Sequence, residues 1–425
     1  MHNSRFARSR RHTVATAVRI AAVFGLLLSA SQFVLADEIN WDDATYVPFS
    51  TMQAVDATGN TTFTPLPTLP YEPYSPAYKL RGVVLNNPGE MLNGAAGAGF
   101  MGGQWQVYIQ TIETDAQIDF GGAALFMAQK YSVVPIGTGD YTTEEWAAEL
   151  LRVNYPVFDP TGTGVGTPVT EPLRKGDLIE VHARGGFFHK GKFNCNEEHN
   201  TDPSFDFDIV ILDRDVPLAP TSIALADVMD VQGKFLFDQS RTTGAEYYQS
   251  QYVTLENVTI SDAANWARYG AVTVTDGTRS FAVQLGFNDA FSSAALPTGP
   301  LSITGIFDQE SNNYTSGYRM WAMSPSDFAP AVPLIPGDAN GDNVVDEQDA
   351  VRLAGGWGRT AHASWFDGDF NRDGRVDPID AAILAAHWGQ SMPEATATTV
   401  PEPCGIPLVL SAIAALTLGR RQRRK

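Results

Sequence analysis

Two twelve-residue segments near the C-terminus repeat one alternation of acidic and neutral residues, and this repeat constrains the fold more than any other feature. Residues 338–349 read DANGDNVVDEQD, and residues 369–380 read DFNRDGRVDPID. Carboxylate or amide oxygens occur at positions 1, 3, 5, 9 and 12 of both segments. A loop with this spacing can surround one cation, and calcium prefers about six to eight oxygen ligands. The repeat therefore predicts two calcium-binding loops, which bind one ion each.

Each loop offers five side chains and the main-chain carbonyl of position 7 as ligands. Position 6 requires a sharp turn, and the second loop has Gly374 there. The first loop has Asn343, a residue type that tolerates the left-handed conformation better than most. The predicted ligands are Asp338, Asn340, Asp342, Val344, Asp346 and Asp349 in loop 1, and Asp369, Asn371, Asp373, Arg375, Asp377 and Asp380 in loop 2.

An apolar segment that predicts a helix follows each loop. The two segments, DAVRLAGGWG and DAAILAAHWG, carry Leu, Trp and Gly at matching positions. Two acidic turns that arose by chance would not share these residues. Two loop–helix units of this kind resemble a type I dockerin over residues 337–391. Asp at position 12, where a calcium-sensor EF-hand has Glu, fits the dockerin variant.

The resemblance to dockerins implies a cohesin-like partner domain, which contacts loop positions 10 and 11 and the helix that follows. These positions carry Glu347 and Gln348 in the first copy, and Pro378 and Ile379 in the second. The hydroxyl pair usual in the family is absent, and the two copies differ. We therefore do not expect equivalent binding in two flipped orientations. We do expect folding of this domain to be coupled to metal, because its clustered aspartates repel one another without it.

Both ends of the chain resemble export signals. Residues 1–36 combine arginines, an apolar run and Ala36 before Asp37, which predicts a cleaved secretory signal peptide, with an uncleaved anchor as the alternative. Residues 400–425 combine VPEP, a short apolar stretch and five basic residues, and they resemble a PEP-CTERM sorting signal. This implies a short transmembrane helix, an inner-membrane intermediate, processing by an exosortase-type enzyme and final localisation at the cell surface or outside the cell. The residues implied at the processing site are Pro401, Glu402 and Pro403. A permanent C-terminal anchor is the alternative.

The region between these signals is predicted to be mainly β. A proline-rich, extended N-terminal segment (37–76) precedes two modules, 77–218 and 219–330, whose apolar residues recur with a period of two. In both modules the order is three strands, one helix and two strands, which is that of an OB-like barrel. An immunoglobulin-like sandwich is the alternative. Linkers at 331–336 and 392–399 flank the small all-α dockerin. The candidate strands of the first module lie at 78–85, 102–112, 121–131, 176–188 and 205–213.

The helix expected in the first module has a clear start signal. Thr142 and Glu145 form a Thr-x-x-Glu capping box. Trp146, Leu150 and Leu151 follow and are expected on its buried face.

Catalytic residues are not predicted anywhere in the β modules, because no nucleophile elbow, zinc-protease motif or phosphate-binding loop occurs. His182, His189 and Cys195 lie in a polar stretch that also contains Glu197, Glu198 and His199. Their spacing matches no compact zinc motif, so we interpret the stretch as a polar hairpin with surface histidines and a buried or reactive thiol. Four aromatic residues could stack on sugar rings if exposed, and otherwise belong to the core: Trp105, Trp266, Tyr318 and Trp321.

Charge and domain organisation together indicate the class of function. Residues 77–330 contain 15 Lys and Arg against 30 Asp and Glu, which disfavours a nucleic-acid partner. Because dockerins most often accompany polysaccharide-degrading enzymes, the resemblance implies a role in polysaccharide binding or catabolism. The leading hypothesis is an exported, non-catalytic binding component that docks to a cohesin-like domain. The alternative is a glycoside hydrolase with an unrecognised active site in the β modules.

Overall fold

We describe the protein from a computed structural model of the 425-residue chain. The chain divides into two compact units, one containing the β-strands up to residue 330 and the other containing two helices after residue 346. The residues that the structure describes are 44–63, 78–92, 103–112, 120–129, 141–162, 166–183, 186–196, 206–331, 335–360, 363, 365–371 and 373–391.

The two predicted export signals lie outside these described residues. This applies to residues 1–36, to 400–425 and to the short transmembrane helix expected within the latter. Across the ranges that the structure does describe, no helix has both the length and the apolar character that crossing a bilayer requires.

The first β module contains one ten-stranded sheet in its described part. The strand order is β6-β5-β10-β7-β2-β3-β4-β9-β8, and β1 pairs with β2. The central strands are antiparallel, whereas β4 and β9 are parallel. The strands are β1 Thr45–Tyr46, β2 Tyr78–Val84, β3 Gln104–Gln110, β4 Gly122–Ala128, β5 Val157–Phe158, β6 Thr167–Pro168, β7 Leu178–Ala183, β8 Phe187–His189, β9 Lys192–Asn196 and β10 Asp208–Asp213.

The strand beside β4 is not among the five candidate strands. The prediction used 205–213 as the fifth strand of a barrel, but that segment forms β10 on the far side of β7. The place beside β4 belongs to β9, Lys192–Asn196, whose five residues are all buried. Its sequence, KFNCN, alternates polar and apolar residues, so periodicity does not predict that its Lys and Asn side chains are buried too.

The helix of the first module begins where its capping box predicts. Helix α2 spans Thr143–Asn154, and the Thr142 hydroxyl accepts a hydrogen bond from the Glu145 amide. Trp146 is buried and Leu150 packs against the core. The placement of Leu151 on the buried face is wrong, because its side chain is 40% exposed. Helical geometry explains this: positions three and four apart share a face, and Leu151 is five residues from Trp146.

The compact region starts earlier than the predicted boundary at residue 77. Helix α1, Phe49–Met52, follows β1 and buries both of its terminal residues. Together with Phe63, they pack in the same core as the central strands. The Gln53 side chain is also buried and donates to the Phe193 carbonyl (2.8 Å). Residues 44–63 therefore belong to the first β module.

The second β module contains a closed five-stranded barrel. Strand β12 pairs with β13, followed by β14, β16 and β15, and β15 pairs again with β12. Only β14 and β16 are parallel within this ring. A closed ring is not the two-sheet arrangement of an immunoglobulin-like sandwich. Its strands are β12 Tyr252–Asp262, β13 Ala271–Thr275, β14 Ser280–Leu285, β15 Leu301–Gln309 and β16 Tyr318–Ala322.

Four further elements flank the barrel. Strand β11, Thr221–Ile223, pairs with β12 in parallel orientation. Strand β17, Phe328–Pro330, pairs with β15 in antiparallel orientation. Two short helices, α3 at Leu225–Val228 and α4 at Gly244–Tyr247, lie between β11 and β12. The helix expected between β14 and β15 is a single 3₁₀ turn, Asp289–Ser292.

The two β modules pack against each other within one compact unit. Tyr108 of the first sheet and Trp321 of the barrel belong to a shared buried cluster. A buried ion pair also links them: Lys192 Nζ lies 2.9 Å from Asp308 Oδ1. Burial disfavours the ionised form of Asp308, but Lys192 and Arg319 lower the pKa of this carboxyl below its usual value. The modules therefore share both apolar and ionic contacts.

The second unit contains two helices that each follow an acidic loop. Helix α5 spans Glu347–Gly356 and helix α6 spans Pro378–His387. Asp346 and Asp377 cap them, each accepting a hydrogen bond from a backbone amide of the first turn. Leu353 of α5 and Leu384 of α6 are buried. The all-α character expected for this region is therefore observed.

Candidate metal centre

The first acidic loop curls around two buried carboxylates. Asp338 is 1% exposed and accepts hydrogen bonds from the amides of Gly341 (2.7 Å) and Asn343 (2.8 Å). Asp349 is completely buried, and its Oδ1 accepts from the Ala339 amide (2.7 Å). These bonds draw both ends of the loop towards its centre.

The second loop repeats this arrangement 31 residues later. Asp369 and Asp380 are buried like Asp338 and Asp349. Asp380 Oδ1 accepts from the Phe370 amide (2.8 Å), and its Oδ2 accepts from the Asp377 amide (2.9 Å). Because the same pair of positions is buried in both loops, the repeat is one of structure as well as sequence.

The remaining acidic and amide positions of the loops are closer to solvent. Asp342 Oδ1 accepts from the Val344 amide (2.9 Å), and the Asn340 side-chain oxygen accepts from the Asp342 amide (2.9 Å). In loop 2, Asp373 accepts from the Arg375 amide (3.0 Å). These bonds hold each loop in a tight succession of turns.

Position 6 has the left-handed backbone conformation in both loops. Gly374 has φ of 81° and Asn343 has φ of 67°. Glycine adopts this conformation without strain, whereas asparagine adopts it at a moderate cost. The sharp turn expected from the sequence is therefore present in both copies.

The electrostatics of loop 1 fit a cation. Burial raises the pKa of Asp338, and the carboxylates of Asp349 and Asp342 raise it further, against the effect of the Gly341 and Asn343 amides. Carboxylates buried near one another are unfavourable unless a positive charge compensates them. Carboxylate, amide and carbonyl oxygens are the ligands that hard divalent cations such as calcium prefer.

The described residues do not hold three or more His, Cys, Asp or Glu side chains already arranged as metal ligands. The buried carboxylates instead accept hydrogen bonds from the loop backbone.

Loop positions 10 and 11 are exposed in both copies. Glu347 and Gln348 begin helix α5, and Pro378 and Ile379 begin helix α6. Ile379 is 55% exposed, although it is a large aliphatic side chain. The first copy therefore presents polar groups at these positions, and the second presents apolar ones.

The polar stretch around Cys195 separates its histidines. His182 lies 2.7 Å from Glu180, whereas His189 lies 3.5 Å from Glu310 of the barrel. Cys195 is buried in the first core. Strands β8 and β9 form the expected hairpin, and His189 is exposed at its end, but His182 is largely buried. Glu197, Glu198 and His199 lie outside the described residues.

The aromatic residues singled out from the sequence belong to the core. Trp105, Tyr318 and Trp321 are at most 3% exposed. Trp266 packs edge-on against Phe291, with ring centroids 5.3 Å apart. Tyr269 is the most exposed aromatic residue of the barrel, and periodicity could not predict it because it lies in a turn between strands.

Comparison with known families identifies one segment of the chain. Residues 336–389 match the family described as the Dockerin type I domain. The match begins two residues before the first acidic loop and ends just after helix α6. No curated protein matches the chain.

Proposed function

We propose that residues 336–389 bind two calcium ions and, in that state, dock the protein to a cohesin-like domain. The observation that carries the proposal is the duplicated loop, with its buried first and twelfth aspartates, inside a segment that matches the type I dockerin family. The expected role of the chain is attachment to a larger assembly.

Each loop would hold one ion through the six residues predicted from its sequence. Calcium would supply the positive charge that compensates the buried carboxylates. Asp338 and Asp369 would supply the first ligand of their loops, and Asp349 and Asp380 the last. Because Asp349 and Asp380 also belong to the first turns of α5 and α6, an ordered loop positions the helix that follows it.

The partner would contact Glu347, Gln348, Pro378 and Ile379 together with the helices that they begin. Their exposure supports this role, since no rearrangement is needed to reach them. The apolar pair Pro378 and Ile379 can bury surface in an interface, which favours one binding orientation that uses the second copy.

The wider role that we propose is polysaccharide binding at the cell surface, without catalysis. Three features support it: the dockerin segment, which is typical of polysaccharide-degrading complexes, the acidic β modules, and the predicted export signals. The closed five-stranded barrel supports an OB-like fold for the second module, and barrels of that kind can bind oligosaccharides. As the sequence predicts, we propose that residues 1–36 are a signal peptide and that residues 400–425 are a sorting signal.

Capture of the partner by the full chain tests the docking proposal. The immobilised protein is incubated with cell-envelope extract in calcium or in chelator, and bound proteins are identified by mass spectrometry. We expect a cohesin-like protein to bind in calcium and to be lost in chelator. The double variant Asp338→Ala/Asp369→Ala should lose it in both conditions. Equal capture by this variant in calcium would contradict the proposal.

A further inference from the structure

One aromatic side chain of the barrel is openly exposed. Tyr269 lies in the turn between β12 and β13 and is 54% exposed, more than any other aromatic residue between 221 and 330. The structure describes every residue of this range, so the comparison covers all of its aromatic side chains. A large exposed ring offers a flat apolar surface with which a ligand can stack.

The backbone at Tyr269 is strained. Its φ is 57°, in the left-handed region that costs a non-glycine residue about 1–2 kcal/mol. The turn enforces this conformation: the Tyr269 amide donates to the Gly286 carbonyl (2.9 Å), and the Gln284 side chain donates to the Tyr269 carbonyl (3.0 Å). Glycine would avoid the strain, so the presence of Tyr indicates that its side chain has a role.

The Tyr269 ring is held flat on buried aromatic residues. It stacks on Phe287 with centroids 4.4 Å apart and an interplanar angle of 14°, and it is nearly parallel to Trp321 at 6.4 Å. Phe287 is 6% exposed and Trp321 is 3% exposed. Buried aromatic residues therefore support the Tyr269 ring, while more than half of the residue remains open to solvent.

Polar groups lie beside Phe287, the residue on which the Tyr269 ring stacks. Arg268 Nε lies 3.3 Å from Asp289 Oδ1, and it also donates to the Phe287 carbonyl (2.8 Å), which orients the guanidinium. The Asp289 side chain is 92% exposed. Hydrogen-bond donors and acceptors thus lie close to an aromatic surface.

We propose that Tyr269, together with the adjacent Arg268 and its ion-pair partner Asp289, forms a platform that binds a neutral pyranose residue of a polysaccharide. One face of a pyranose carries C–H groups that stack on an aromatic ring, and its hydroxyls suit the Arg–Asp pair. A nucleotide is disfavoured because acidic residues outnumber basic ones two to one in residues 77–330. This inference deepens the polysaccharide-binding role proposed above and rests on it for the class of ligand.

Affinity electrophoresis of the full chain tests the platform. Native gels contain hydroxyethylcellulose, xyloglucan, galactomannan or xylan, and retardation is compared with a polysaccharide-free gel. We expect at least one polysaccharide to retard the wild type. Tyr269→Ala should weaken that binding about tenfold or more, whereas Tyr269→Phe should preserve most of it. Tyr155→Ala, which removes an exposed tyrosine at the end of helix α2, should bind like the wild type.

A second variant separates binding from folding. Tyr269→Gly removes the ring but relieves the left-handed strain, so it should unfold at a higher temperature than Tyr269→Ala and still fail to bind. Binding by Tyr269→Gly at wild-type strength would overturn the proposal. So would the absence of retardation in all four gels. Binding of an oligothymidylate that Tyr269→Ala abolishes would assign the platform to nucleic acid instead.

Chelator distinguishes this inference from the docking proposal. Polysaccharide retardation should be the same in calcium and in chelator, because the platform lies on the barrel and uses no loop ligand. Calcium-dependent partner capture without any Tyr269-dependent retardation would refute the platform alone. Retardation that depends on Tyr269, without partner capture, would refute docking alone.

Discussion

At the scale of single residues, Glu246 is a buried acid of the second β module whose pKa is raised by burial. Glu246 is completely buried and accepts a hydrogen bond from the Tyr318 hydroxyl (2.6 Å). Burial raises the pKa of Glu246 to about 7, although Arg241 and the Tyr318 hydroxyl lower it in part. The folded protein therefore retains a proton on this group over a pH range in which the unfolded chain has released it.

The first prediction concerns the pH dependence of stability. Because the folded pKa of Glu246 exceeds the unfolded value of about 4.5, its contribution to the free energy of unfolding decreases as pH rises from about 4.5 to 7. The decrease is on the order of 3 kcal/mol. Glu246→Gln stays neutral and keeps an acceptor for Tyr318, so it should remove this decrease. Urea unfolding of the β-rich unit at pH 5 and pH 8 measures this decrease in the free energy of unfolding for the wild type and the variant.

The matched control for this prediction is Asp289→Asn, which neutralises an exposed acid. Its unfolding free energy should follow the wild-type pH dependence. If Glu246→Gln loses as much stability as the wild type between pH 5 and pH 8, Glu246 is not the group that titrates.

The second prediction compares the two metal loops. Asp338→Ala and Asp369→Ala each remove the first ligand of one loop, and each should abolish high-affinity binding at that loop only. Loop 2 should bind more tightly, since Gly374 adopts the turn at position 6 without the strain that Asn343 bears. Calcium titration calorimetry of each variant measures the remaining site. A stronger site in Asp369→Ala than in Asp338→Ala would reverse this order.

At the scale of secondary-structure elements, the paired helices α5 and α6 are similar in length but differ in their exposed first turns. Both are ten residues long, and both are capped by an aspartate with a capping box. The exposed residues of the first turn are charged or polar in α5 and apolar in α6. The first turn of α6 therefore offers more apolar contact surface than the first turn of α5.

The third prediction is that the partner binds through helix α6. Ile379→Gln should weaken partner binding about tenfold, because an interface that buries this half-exposed side chain gains about 1.5 kcal/mol from it. Gln348→Ala, at the equivalent position of α5, should change affinity less than about threefold. Surface plasmon resonance with the captured partner compares the dissociation constants of the two variants. Equal losses from both substitutions would indicate that both copies contact the partner.

At the scale of the whole molecule, the two compact units have different sources of stability. The β-rich unit contains extensive apolar cores and a buried ion pair. The helical unit is small, and it buries four aspartates beside few large apolar side chains. A domain of this size has little apolar surface to offset its conformational entropy. Bound metal is the expected source of the missing stability.

The fourth prediction is that calcium stabilises only the helical unit. A ligand at about 100 times its dissociation constant adds about 2.7 kcal/mol per site, so two sites should raise the melting temperature of this unit by more than about 10 °C. Magnesium should substitute poorly, because it requires a tighter octahedral shell. Scanning calorimetry of the full chain with calcium, magnesium or chelator resolves the transitions. A calcium-independent transition for the helical unit would contradict metal-coupled folding.

The sequence by itself determined the features that depend on neighbours along the chain. The spacing of the acidic loops, the left-handed turn at Asn343 and Gly374, and the start of helix α2 all follow from residues within one or two turns of each other. The barrel strands also show the period of two predicted for this module, because that period is a local property.

Only the tertiary structure decided which side chains are buried, since burial depends on residues far away in the sequence. Lys192 of strand β9 is buried although it is charged, because it pairs with Asp308 more than 100 residues later. Trp105 and Trp321 are in the core, whereas Tyr269 is exposed, and composition does not distinguish them. The turns of the acidic loops could thus be predicted from local spacing, while the aromatic platform required the barrel to bring Phe287 and Trp321 next to Tyr269.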